Sequence, residues 1–171
     1  MEFADIIRNR RSVRAFTSQD VGEETIRELL ETIRTAPTAG NRQAYKIYVV
    51  RDQKVRTNLA IAAYNQDFIA EAPVCLAFFA DAARSQSRYG SRGSDLYCLQ
   101  DATIATTIAW LAIVDLGLAS VWVGAFDDEA VCQAIKSPLG LRPVALLPIG
   151  QAAERPEKTS RRPLAEMVEW I

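Results

Sequence analysis

Apolar and polar positions along the chain alternate between two periods. Phe3, Ile6 and Ile7 recur at helical spacing and predict a short helix over about residues 2–9. Ile26, Leu29, Leu30 and Ile33 follow the i, i+3, i+4, i+7 pattern. Glu23 and Glu24 suit that helix's N-terminus, and Pro37 ends it. Tyr45–Val50 alternates and is rich in β-formers, so it predicts a strand. Lys54–Ala63 reads as a helix and Asp67–Ala72 as a further turn. Val74–Ala80 is continuously apolar between Pro73 and Asp81, the signature of a buried strand. Residues 82–94, with Arg84, Arg88, Arg92, Gly90 and Gly93, read as a polar loop.

Beyond that loop, Ser94 or Asp95 can cap a long helix that reaches about Leu116, with Gly117 at its end. A helix of that length spans about 30 Å, the width of a small domain. Ile104, Ala105, Ile108, Leu111 and Ala112 make it apolar nearly all round, which predicts a central position. Ala119–Val123 reads as a buried strand, Asp128–Lys136 as a short helix and Val144–Ile149 as a fourth strand. Strands and helices interleave around one sheet, so the class is α+β or α/β. The remaining tail, residues 151–171, is polar with a short apolar end. It cannot pack as a core element by itself, which points to docking on another chain.

Composition narrows the chemistry. The 171 residues fit one domain, residues 1–171, at about 150 residues per domain. Lys and Arg number 20 against 21 Asp and Glu, a net charge of −1, which argues against a general nucleic-acid binder. The chain has no histidine. Ser-His-Asp and Cys-His catalysis and imidazole metal sites are thereby excluded within it. Cys75, Cys98 and Cys132 are odd in number and widely spaced, so they read as buried thiols with neither disulfide framework nor metal pattern. The apolar stretch 102–126 contains Asp115 and Gly117 and reads as a buried helix and strand, not a membrane span. The first residues lack an apolar secretory core. Together these features lead to the expectation of a cytoplasmic protein.

Four clusters could carry chemistry. In Arg10-Arg11-Ser12-Val13-Arg14, residues 10, 12 and 14 share one side if extended, a geometry suited to a phosphate. One more helical turn would instead aim Arg10 inward, along the Phe3/Ile6/Ile7 stripe. In Pro37-Thr38-Ala39-Gly40-Asn41-Arg42-Gln43, small residues allow close approach of a flat ligand. Asn41 and Gln43, if extended, offer donors and acceptors on one side. Gly124 and Ala125 stand where a buried strand stops and could present bare N–H groups. Residues 155–162 hold four bases against one acid. Each cluster alone also reads blandly, as a solvated turn, a connecting loop, a helix cap or a solvated tail.

Their order and spacing are more specific. RRSVRAF, APTAGNRQAYKIYVV, FIAEAPVCLAFFAD, RYGSRGSDLYCLQDATIA, LGLASVWVGAFDDEAV and LLPIGQAAERPEKTSRRPLAEMV together resemble the nitroreductase family, over about residues 3–168. The resemblance implies a compact α+β nitroreductase-like fold. A mixed, mostly antiparallel sheet and flanking helices would surround a long central helix, with the C-terminal tail swapped between the subunits of a homodimer. It implies FMN at the subunit interface and NADH or NADPH as electron donor. Hydride would pass through flavin N5 to a nitroaromatic, a quinone or another flat acceptor by ping-pong kinetics. The same fold would also serve reductive dehalogenation, ene reduction or dehydrogenation, or a non-catalytic flavin-binding module.

Residue by residue, the resemblance implies that Arg10 and Ser12, within a segment that includes Arg11, meet the FMN phosphate. Arg14 would lie near the ribityl chain and pyrimidine edge, where it would stabilise charge near flavin N1. Arg161, five residues after Pro156 and followed by x-Pro-Leu, matches the distal phosphate arginine, with Arg162 as the alternative. Pro37, Thr38 and Ala39 match the loop that reaches the flavin from the partner, with Asn41 and Gln43 near the ring or bracing that loop. Gly124 and Ala125 match the positions whose amides face flavin N5 and O4. Asn65 or Gln66 falls near a further polar contact. No side chain is implied as an obligatory acid or base, and no metal site is implied.

Overall fold

The computed structural model describes residues 1–171. Helices α1 (Phe3–Asn9) and α2 (Glu23–Ile33) precede strand β1 (Tyr45–Val50). Helices α3 (Gln53–Ala62) and α4 (Phe68–Glu71) lead to β2 (Val74–Asp81). Helix α5 (Ala82–Arg92) then runs through a π-helical turn, Gly93–Tyr97, into α6 (Cys98–Asp115). Strand β3 (Ala119–Ser120), helix α7 (Asp128–Ile135) and strand β4 (Leu141–Gly150) complete the core. The sheet order is β1-β2-β4-β3, and every neighbouring pair is antiparallel. Within one chain, no strand pair is parallel.

Strand β2 explains why its sequence is apolar without alternation: both faces are covered. Val74, Leu76 and Phe78 pack with Leu29 and Ile33 of α2 and with Ala105, Ala109 and Ile113 of α6. Cys75, Ala77 and Phe79 pack on the other side with Leu59 of α3, Ile69 of α4 and Val131 of α7. Helix α6 lies in a stretch apolar and long enough to cross a membrane by composition; here it is the central core helix.

Four local departures from the sequence reading have physical causes. Residues 82–94 are helical and then π-helical, not a loop, because the Asp81 carboxylate accepts the Arg84 N–H at 2.9 Å and starts a helix that buries Ser85. The long helix consequently begins at Cys98, with no side-chain cap from Ser94 or Asp95. Of the expected strand Ala119–Val123, only Ala119–Ser120 form a ladder, with an isolated bridge from Val123 to Leu146. The shared register sets Val121 opposite Pro148, which has no N–H to donate, so the ladder is interrupted there. The partner strand is longer than its apolar run because a register shift between Phe78 and Phe79 accommodates Pro143. Cys75 and Cys98 are buried, whereas Cys132 is half-buried.

Burial pushes the Cys75 thiol from its ordinary 9.0 up to about 12, against a smaller opposing effect of Arg56. A pKa raised in the folded state gives stability that is present below the unfolded value and lost as pH rises through the window. Urea denaturation should therefore show stability falling between about pH 9 and 12, with a shallower slope in Cys75→Ala. An identical slope in the variant would refute the assignment.

Candidate functional site

The segment after α1 leaves the helix and runs extended along the end of the sheet. Val13 N–H donates to Ser120 C=O at 3.1 Å, Thr17 N–H to Gln151 C=O at 2.9 Å and Ala153 N–H to Ala15 C=O at 2.9 Å. Arg14 N–H donates to the Glu154 carboxylate. These bonds lay the RRSVR segment beside the chain that leaves β4. A cavity of about 370 Å³ forms between them, lined by Arg10, Arg11, Ser12, Arg14, Lys158 and Arg161 among others. The two basic clusters thus meet, with Glu157 the single carboxylate in the lining.

The arginines differ in how free they are. Arg11 Nη1 donates to the carbonyls of Arg8 (2.7 Å) and Arg10 (2.9 Å), so it closes the end of α1 as well as lining the cavity. Arg10 turns inward and stacks its guanidinium over Trp110 of α6, 4.2 Å from the ring centroid. Burial, then the like charges of Arg161 and Arg11, lower its pKa. Arg161 Nη1 is held by the Thr159 hydroxyl at 2.7 Å, whereas Arg162 does not line the cavity. Clustered guanidiniums of this kind favour an anion that neutralises them.

The second site is a cavity of about 620 Å³ between the 37–39 segment and the start of α6. Pro37, Thr38, Ala39, Tyr97, Leu99 and Ile104 line it. The loop above it is held from below by Asp101, which is 2% exposed. Its two carboxylate oxygens accept the Ala39 N–H (2.9 Å) and the Ala44 N–H (3.4 Å). Between those anchors Gly40, Asn41 and Gln43 all have positive φ. A Cβ on Gly40 would lie 2.1 Å from the Tyr89 hydroxyl, so a larger residue there would have to displace that side chain as well as adopt a positive φ. Asn41 and Gln43 do meet, through Gln43 Nε2 to Asn41 Oδ1 at 2.8 Å, but in a 3-10 turn and not along an extended edge.

Gly124 and Ala125 follow the Val123 bridge and are exposed. They line neither cavity. Gln66 Nε2 donates to Ala125 C=O at 3.2 Å and to Ala63 C=O at 2.9 Å, so Gln66 braces that turn while Asn65 stays exposed at positive φ. Within one chain, then, the sequence-predicted residues fall in three places. Trp110 and Asp101 were not singled out in the sequence, whereas Lys158 belongs to the basic stretch 155–162. Asp101 had a legible signal, as a lone acid among Leu99, Ala102 and Ile104 of an apolar helix.

Removing the Asp101 carboxylate leaves two loop N–H groups without their acceptor. Asp101→Ala should cost about 1.5–3 kcal/mol in urea denaturation and speed amide exchange at Ala39 and Ala44. Unchanged exchange at both amides would contradict the anchoring role.

Comparison with known proteins agrees with this geometry. The profile of the Nitroreductase family matches residues 7–64 and 60–151. A relative from Thermus thermophilus, NADH dehydrogenase, is 29% identical over 94% of this chain and 92% of its own. The Bacillus subtilis protein FMN reductase [NAD(P)H] is 29% identical over 91% of this chain and 68% of its own. The solved structure of B. megaterium NfrA2 superposes with a TM-score of 0.91 at 26% identity, covering 99% of this chain and 74% of that one. With an antiparallel four-stranded sheet around a central helix and a family match over most of its length, the chain belongs to the nitroreductase family.

Proposed function

We propose that this protein is an FMN-dependent NAD(P)H oxidoreductase that reduces nitroaromatics, quinones or similar flat acceptors. The observation that carries the reading is the convergence of Arg10, Ser12, Arg14 and Arg161 on one cavity with a single carboxylate. The residues there fit the FMN phosphate: a dianion would relieve the mutual repulsion of Arg10 and Arg161 and accept charge-assisted hydrogen bonds. Arg10 and Arg161 are assigned to the phosphate, with Ser12 as a hydroxyl donor and Arg11 holding the segment in place. Arg14 is assigned to the electron-rich edge of the ring system, where a fixed cation stabilises negative charge. When bound, FMN supplies two-electron redox chemistry, taking a hydride equivalent from NAD(P)H and giving it to the acceptor. The second proton of the acceptor's reduction comes from solvent, so no histidine is needed.

The complete site is assigned to a homodimer, with the whole chain as one domain. Support comes from apolar surface that this chain leaves uncovered. Phe3, Ile7, Ile104, Leu164, Met167 and Trp170 are exposed, Trp170 at 94%. Beyond Ala153 the tail makes only local backbone bonds, around Leu164. A second copy would take up this tail and bring its own Pro37-Thr38-Ala39 loop, Asn41, Gln43 and the Gly124-Ala125 turn into play around each flavin. A cytoplasmic location is consistent with the use of NAD(P)H.

Purified protein should be yellow, with about one FMN per chain, and anaerobic NADH or NADPH should bleach it. Colourless protein that ignores added FMN would overturn the proposal. Arg10→Ala and Arg161→Ala should each weaken FMN retention by about 1.5–3 kcal/mol in fluorescence titration. Unchanged affinity in both variants would overturn the phosphate assignment. Deleting residues 163–171 should shift sedimentation from dimer to monomer; an unchanged profile would remove the tail from the interface.

A further inference from the structure

Between β2 and α6 the chain makes a tight reversal that none of the assignments above uses. Gly90 breaks α5 with φ +57° and ψ −145°. Gly93 then packs so closely that a Cβ would lie 2.6 Å from the Ser85 carbonyl oxygen. A π-helical turn follows, a rare form that recurs at functional sites. The reversal sets Tyr89 against Tyr97, edge to face at 5.1 Å. Arg88 lies over Tyr89 at 5.6 Å and Arg92 over Tyr97 at 5.4 Å, with Arg92 Nε donating to the Tyr97 hydroxyl at 3.0 Å. Arg42 reaches the same place from the 37–43 loop: its Nη2 donates to Ser87 Oγ at 2.8 Å, and Arg84 Nε donates back to the Arg42 carbonyl at 2.5 Å.

Four guanidiniums therefore gather on one exposed face, and none of them is in an ion pair. The nearby acids are otherwise engaged. Asp81 accepts the Arg84 N–H, Asp95 accepts the Ser94 hydroxyl, and Asp101 is buried under the loop. In a protein of net charge −1, that is a local cationic excess with no internal partner. Arg42 and Arg84 are tied to backbone carbonyls, which leaves Arg88 and Arg92 with the freest donors. The face adjoins the apolar cavity directly. Tyr97 belongs to both, and Gly40 of the cavity's loop sits beneath the Tyr89 hydroxyl and Arg88.

We propose that Arg88 and Arg92, with Tyr89 and Tyr97, form a subsite for the 2′-phosphate of NADPH and make NADPH the preferred electron donor. The inference rests on the NAD(P)H oxidoreductase reading and deepens it. A phosphate monoester is a dianion with three acceptor oxygens, which suits two planar guanidiniums. The tyrosine pair offers an aromatic face for the adenine next to that phosphate. The pyrophosphate, by contrast, is common to both donors, and binding it would give no preference.

The test uses the FMN-loaded dimer and the double variant R88A/R92A, whose substitutions fall on exposed side chains. Wild type should favour NADPH over NADH in kcat/KM by about 10- to 100-fold, the worth of one charge-assisted phosphate contact. The variant should lose that preference through KM for NADPH, while kcat/KM for NADH and the flavin spectrum stay unchanged. Calorimetry should show 2′,5′-ADP binding to wild type, weaker binding to the variant, and 5′-AMP binding poorly to both. Equal losses for the two donors would mark a pyrophosphate contact and overturn the proposal, as would an unchanged preference or a wild type that favours NADH. If neither donor reduces the flavin while 2′,5′-ADP still binds through Arg88 and Arg92, the oxidoreductase reading fails and the subsite stands.

Discussion

Backbone hydrogen bonding between the two ends of the chain organises the rest of the molecule. Val13, Ala15 and Thr17 pair with Ser120, Ala153 and Gln151, so a segment from before the core and one from after it lie side by side at the end of the sheet. Backbone pairing of this kind is indifferent to side-chain charge. It holds together two strongly basic stretches that would repel one another as free peptides. The adjoining guanidiniums then share one cavity, and the burial of Arg10 against Trp110 follows from the path that the bonds impose. The shared basic cavity is thus a product of chain topology, with the arginines supplying its charge.

Most of the core was legible because its elements obey simple periods. α2, β1, β2 and α7 lie within a residue or two of their apolar patterns, since burial alone decides them. The misreadings came where a single polar group outweighed the pattern. Asp81 converted an arginine- and glycine-rich stretch into helix by capping it, and Pro148 interrupted a strand from across the sheet. No local reading of residues 119–123 could have anticipated the second effect. The extended edge expected at Asn41 and Gln43 is replaced by a short turn with three left-handed residues, in which the two side chains hydrogen-bond to each other. The motif spacing favours Arg161 over Arg162, and Arg161 is the one of the two that lines the cavity.

The two cavities are opposite in character, and each is supported from α6. Trp110 underlies the polar one through Arg10, and Asp101 underlies the apolar one through the 38–44 loop. Two turns and a half of one rigid helix separate these supports, so the spacing between the cavities is fixed by α6 and not by loop conformation. A loop with three positive-φ residues would otherwise sample many shapes. A buried carboxylate beneath it selects one, at the cost of keeping a charge in the interior on two N–H donors.

The three tryptophans of this chain fall in three different environments. Trp110 lies beneath a cationic guanidinium at the polar cavity. Trp122 lies 3.2 Å from where a Cβ on Gly124 would stand, at the turn that Gln66 braces. Trp170 stands almost bare near the chain's end. Indole emission depends on local charge and on solvent exposure. The protein therefore carries intrinsic optical reporters in three separate places: the wall of the basic cavity, the turn after the sheet, and the exposed tail.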